Sequence, residues 1–386
     1  MGFKRNFLAV SSAAAIALAG AGLVAVSQAD PPDKPKVPKY VPDGSWPKPM
    51  PVAGQFGTQL VISTATGKPK PWSTGEVAGT CVDSRDHVFI VTRGNLVNSP
   101  ETLDSVPAPP VIEFDRDGKV VNAWGNRNVL PNGIHGCFID YQDNIWIAGN
   151  GDGIVQKYTR DGSRLLLQIG TRGKFDSADG TRRGKGLNAA RDQLHMPSGM
   201  VVDPGNGDIY VADGYGNRRI AVFDKDGKFL RQWGRQATDE ETQAGAPGVF
   251  AEVVHCIAMS NAGLIYACDR QGNRVQVYQK DGTFVRNIPI PNATGKLPDK
   301  RGTAWWVAFS PDREQKFMYM MNGGTEQVHI LDHASGKILS SFGRPGHQIG
   351  NFTHGHTIAV DSKGNIYVAE TDWGRRVQKF KIVSGP

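Results

Sequence analysis

The stretch VVDPGNGDIYVADGYGNRRIAVFDKDGKFLRQWG, Val201 to Gly234, decides how the rest of the chain is read. An apolar pair runs into the turn Asp203-Pro204-Gly205-Asn206-Gly207, and Asp208 to Asp213 follows as a second apolar run. Arg219 to Phe223 is a third, Asp224-Lys225-Asp226-Gly227 reverses the chain, and Phe229 to Trp233 is a fourth. Each run is short, rich in Val, Ile and aromatics, and bounded by turn residues. The pattern predicts four strands in a meander, the content of one propeller blade.

Working outward, six copies are found. Their second strands are Val88 to Val91, Ile145 to Ile147, Ile209 to Val211, Leu264 to Tyr266, Phe317 to Tyr319 and Ile366 to Val368. The last copy stops near Phe380 without a clear fourth strand. The segment Gln59 to Ser63 is expected to supply it, closing the ring and hiding its open edges. The fold class is therefore all-β: a six-bladed β-propeller over residues 56–386. Composition agrees. The 386 residues are 39% hydrophobic and 21% charged, with 47 Gly and 24 Pro to make turns. That excludes a wholly disordered or disulfide-dense chain. The net charge of +7 is scattered singly, which argues against a nucleic-acid partner.

The N-terminal segment reads differently. Lys4 and Arg5 precede an apolar, Ala-rich run from Phe7 to Val26, and Ser27-Gln28-Ala29 offers small residues for cleavage. Residues 1–29 are expected to be a secretory signal peptide, with an uncleaved anchor as the alternative. Export to the periplasm or outside the cell follows, with no membrane contact after cleavage, since no later stretch is long and apolar enough to span a bilayer. Residues 30–55 read as an extended Pro-rich arm, with eight prolines between Asp30 and Pro51 and with Tyr40 and Trp46 to tack it down. Only four Cys are present: Cys81, Cys137, Cys256 and Cys268. Cys256 and Cys268 flank one hairpin, so a disulfide there is left open.

Chemistry is expected where the repeats disagree. Four residues before the last apolar residue of each first strand, the blades carry Ala78, His135, Ser198, His255, Trp305 and His356. First strands line the central channel, and alternate blades lie about 120° apart around it. His135, His255 and His356 therefore point at one spot. Three imidazoles with an open fourth position form the arrangement of a catalytic zinc. A lone buried His is usually a core residue, but three at equivalent alternate positions, out of nine His, argue for metal ligation. His354 is a rival to His356 that the register disfavours. His195, His329 and His347 fall off the register and read as structural or surface residues. Residues just after the second strands return to the same face: Arg93, Tyr215 and Arg270. Two guanidiniums suit a carboxylate, and a phenol near cations and a metal is expected to have a lowered pKa and to act as a base. Their bland alternatives are surface ion pairs and a packed rim aromatic.

These features resemble the NHL-repeat propellers and, among them, peptidyl-α-hydroxyglycine α-amidating lyase. The matching stretches are Ile134-His135-Gly136, Val254-His255-Cys256, Gly355-His356-Thr357, Ala212-Asp213-Gly214-Tyr215, Thr92-Arg93-Gly94 and Cys268-Asp269-Arg270. The resemblance implies zinc on His135, His255 and His356, Tyr215 as catalytic base, and Arg93 and Arg270 on the substrate carboxylate. It implies cleavage of an α-hydroxyglycine-extended peptide to an amide and glyoxylate. Thr357 stands where the family has a calcium-binding Asp, and Gly216 where it has a Cys, which puts calcium and that disulfide in question. The partner expected is a small molecule or peptide bearing a carboxylate. Two alternatives stay open: a metal-bearing relative with hydratase or hydrolase chemistry on a small acid or lactone, and a non-catalytic binding propeller.

Overall fold

The structure, a computed structural model, describes residues 36–97, 103–292 and 300–384. The segment read as a signal peptide lies outside the described residues. Among those described, no helix is long and apolar enough to cross a membrane.

The repeat arises from turn chemistry. Asp83, Asp140 and Asp361 each end an innermost strand, and one carboxylate oxygen accepts the backbone N–H groups two and four residues on. This side-chain closure reverses the chain tightly and sets the hairpin register. Six four-stranded antiparallel sheets result, and they form a six-bladed propeller. The innermost strands, blade one to blade six, are Val77–Val82, Ile134–Ile139, Gly199–Val202, Val254–Met259, Ala304–Phe309 and Gly355–Val360. Burial falls outward. The second strand Ile209–Asp213 is wholly buried, whereas Phe229–Trp233 at the rim is half-exposed. One large aromatic from each second strand fills the wedge between blades: Phe89, Trp146, Tyr210, Tyr266, Tyr319 and Tyr367, all fully buried.

The ring closes, but not with the segment anticipated. The fourth strand of blade six is Lys39–Pro42, from the Pro-rich arm, paired antiparallel with Val377–Ser384. Gln59 to Ser63 instead folds back on itself, with Ile62 bridging Pro69. Pro42 has no N–H to donate, and it is tolerated because its strand lies at the edge of the blade. Tyr40 and Trp46 do anchor the arm: the Tyr40 hydroxyl bonds that of Tyr319 at 2.7 Å, and Trp46 packs on Phe114 and Tyr367.

All four Cys are bonded. Cys256–Cys268 ties the first two strands of blade four, the pair left open above. Cys81–Cys137 joins the innermost strands of blades one and two across 56 residues of sequence. No local spacing pointed to that second bridge. It lines a cavity of about 800 Å³ at one mouth of the channel, which none of the three repeat His reaches.

Candidate metal centre

In five blades the repeat position that differs lies inside a β-bulge. The strand ladders skip at Ala78, His135, His255, Trp305 and His356. A bulge re-aims one side chain while the strand continues, and here it turns these residues into the channel. His135, His255 and His356 are fully buried, with ring centroids 4.5 to 4.9 Å apart. Their ligating nitrogens all lie within 4.8 Å of one another.

Each ring is held by the following blade. His135 Nδ1 bonds the Ser198 carbonyl, His255 Nδ1 that of Trp305, and His356 Nδ1 that of Ala78, each at 2.7 Å. These acceptors are the same repeat position one blade on. A carbonyl accepts only from N–H, so the proton sits on Nδ1 and each Nε2 keeps its lone pair for the axis. Gly136 permits this approach, since a Cβ there would press on the Ser198 carbonyl. His255 Nε2 is buried without any hydrogen-bond partner. An orphaned imidazole lone pair beside two others fits a bound divalent cation, and nothing else described answers it.

Burial keeps all three rings neutral. Desolvation, reinforced by Arg93, pushes His135 down to about 3, and desolvation also holds His255 and His356 well below the usual histidine range. The sign for stability follows. The unfolded chain takes up protons near pH 6.5 and the native cluster does not, so stability is lost as pH falls from about 6.5 toward 3. The metal-free protein is expected to lose several degrees of Tm between pH 7 and pH 5. A triple His→Gln variant should lose less. Parallel curves for the two proteins would contradict this reading.

Tyr215 stands against the cluster. Its hydroxyl is 3.0 Å from His135 Nε2, touching a lone pair that an ion would take. Arg270 Nη1 donates to the same oxygen at 3.3 Å and lies over the rings of Tyr215 and Trp305. The expectation of a lowered Tyr215 pKa does not hold for the chain alone. Burial raises it, and the nearby Arg270 and Arg93 only partly offset that. Arg93 is also less free than anticipated: it pairs with Glu76, and its Nε donates to the Ile134 carbonyl at 3.1 Å. The supports were not read from sequence. Asp213, two residues before Tyr215, holds Arg219 at 3.0 Å and accepts the His195 N–H. Asp269, just before Arg270, holds Arg274 at 2.8 Å and accepts the Ala251 N–H. Each buried pair pins a second-strand end to the loop entering its own blade.

Trp305 was found by register but given no role. Its ring packs on His255 and His356 and forms a wall of the site. His354 is not in the cluster; its Nδ1 pairs with Asp372 at 2.9 Å. His329 is buried between Asn322 and Ser341, and His347 is exposed, as expected for off-register residues. His195 is buried and structural.

Residues 194–223 match the NHL repeat. Over 323 residues the chain is 25% identical to peptidylglycine alpha-amidating monooxygenase of Rattus norvegicus, covering 77% of this chain and 29% of that protein. It is 28% identical over 339 residues to peptidyl-alpha-hydroxyglycine alpha-amidating lyase 1 of Drosophila melanogaster, covering 79% and 57%. It is 28% identical over 337 residues to NHL repeat-containing protein 3 of Homo sapiens, covering 83% and 84%. The chain spans 29 to 33% of the length of the vertebrate amidating monooxygenases it matches. It is thus a six-bladed propeller with an NHL repeat and homologues named as amidating lyases.

Proposed function

We propose that the chain is a zinc-dependent carbon–nitrogen lyase that cleaves an α-hydroxyglycine-type substrate to an amide and glyoxylate. The observation that carries this reading is the convergence of three buried, neutral, Nδ1-anchored imidazoles on one point beside a tyrosine hydroxyl. His135, His255 and His356 would hold the ion. When bound, it would supply a Lewis acid for a substrate oxygen and a positive charge that favours the Tyr215 phenolate.

The chain's own residues do the rest. Arg270, with the free end of Arg93, binds the substrate carboxylate and orients the hydroxyl-bearing carbon toward Tyr215. Tyr215 Oη takes the hydroxyl proton. The C–O bond becomes a carbonyl as the C–N bond breaks, and Tyr215 returns that proton to the leaving nitrogen, which becomes the amide. Trp305 and the buried rings keep bulk water from the reacting carbon.

The test is glyoxylate release from α-hydroxyhippurate by the zinc-loaded full chain, measured beside the metal-stripped protein. Release that needs the metal is the expected result. Bound zinc without glyoxylate would point to hydration or hydrolysis of another small acid. Absence of both metal and product, with the fold intact, would leave a binding propeller.

A further inference from the structure

Beside Tyr215, the chain between Ile169 and Gly199 builds a second feature, which His135, His255 and His356 do not line. It forms one wall of a cleft of about 420 Å³, into which Tyr215, His195, Arg182, Arg183, Lys185 and Arg218 face. Four cations line this cleft, and no Asp or Glu does so among the described residues.

The charges are placed rather than paired. Arg182 Nε donates to the Asn150 carbonyl at 2.9 Å. Arg218 donates to the carbonyls of Glu252 and Gly216. Both arginines are thus fixed by main chain, with no carboxylate bonded to them, and only the exposed Glu252 offsets part of the Arg218 charge. The side chains of Arg183 and Lys185 are exposed and make no hydrogen bond or ion pair with any described residue. Of the three acids in the same segment, Asp192 does not line the cleft, and the other two are engaged elsewhere. Asp176 accepts from Ala189 N and Asn217 Nδ2, and Asp179 caps the turn at Thr181. The wall is also braced: His195 Nε2 lies 3.0 Å from the Arg182 carbonyl, and its ring fills the space a Cβ on Gly216 would need. Uncompensated cations on a fixed wall raise the local concentration of anions and orient them.

We propose that this cleft binds a second carboxylate of the substrate, carried on the portion that leaves as the amide, so that the protein selects acidic substrates. The inference rests on the reading of Tyr215 as the reacting group. The first carboxylate stays with Arg270 and Arg93 in the channel. The second lies past the Tyr215 ring, among Arg182, Arg183 and Lys185.

Binding is measured by calorimetry on the zinc-loaded full chain, with acetyl-glutamyl-glycine and acetyl-leucyl-glycine as probes that lack the hydroxyl and are not cleaved. The glutamyl probe is expected to bind roughly two- to fivefold more tightly at low ionic strength. The gap should close at about 0.5 M salt, where the screening length is a few ångströms. Because Arg183 and Lys185 are exposed, the R183E/K185E variant should keep its Tm. It should lose or invert the preference while its affinity for the leucyl probe is unchanged. Equal binding of the two probes, no binding of either, or a preference that survives charge reversal would overturn the proposal. The lyase reading is judged apart, by glyoxylate. Product from α-hydroxyhippurate without acid preference sinks the cleft alone. Acid preference without product keeps the cleft as an anion site and sinks the lyase.

Discussion

Replacing His255 by alanine should strip the protein of its metal. Wild type purified with zinc present is expected to hold about one ion per chain, and His255→Ala close to none after dialysis. The size of the effect follows from the ligand count. Losing a supporting hydrogen bond to a metal-bound imidazole costs roughly 10- to 100-fold in affinity, and losing the imidazole itself costs more. His255 is the sharpest choice because its Nε2 has no hydrogen-bond partner, so its lone pair has no other described purpose. Zinc should raise the Tm of wild type and leave the variant unmoved, since only a ligand that binds the native state stabilises it. His354→Ala is the control. Its ring is engaged with Asp372 and Trp305, and metal content should not change. An equivalent of zinc retained by His255→Ala would remove the metal centre from the account.

Tyr215→Phe should separate chemistry from binding. The substitution deletes one oxygen and keeps the ring, which packs on His135 and His255 at centroid distances of 5.3 and 5.9 Å and lies under Arg270. Metal content should therefore stay at the wild-type level. With the α-hydroxyglycine substrate, kcat is expected to fall about 10²- to 10⁴-fold, the range for loss of a positioned base, while KM moves little. The pH profile gives a second readout. On the proposed mechanism Tyr215 acts deprotonated; burial raises its pKa in the chain alone, and a bound ion would pull it down. In wild type kcat should rise with pH through this group, and the variant should lose that rise. A kcat within tenfold of wild type, with the same pH limb, would show that another group takes the proton.

What could be read from the sequence was whatever the repeat repeats. The strands of each blade follow from alternation and turn residues, which act locally. The positions of His135, His255 and His356 followed because a fixed offset from a strand end survives from blade to blade. The bulge that turns these side chains into the channel left no letter in the sequence. Nor did the carbonyls of Ser198, Trp305 and Ala78, because a backbone acceptor carries no residue signature. Contacts across long separations were hidden as well. Cys81–Cys137 links two blades, Glu76 occupies part of Arg93, and the Asp213–Arg219 pair becomes meaningful only once its blade is folded. The closing strand was expected from Gln59 to Ser63, yet the ladder is made by Lys39–Pro42, whose one proline is tolerated at an edge.

That ladder has a consequence for the order of events during synthesis. Lys39–Pro42 is made long before Val377–Ser384, its partner in the ladder. Lys39–Pro42 therefore waits unpaired while the blades between are made, and the rim of blade six stays bare from the time its three later strands form until the early one docks. Joining chain segments so far apart is slow, because the loop between them must close before its contacts form. A nascent chain in this state is open to pairing with another copy of itself. Loss of residues 37–47 should reproduce that hazard permanently, giving a protein whose blades are formed but whose yield falls steeply with concentration during refolding.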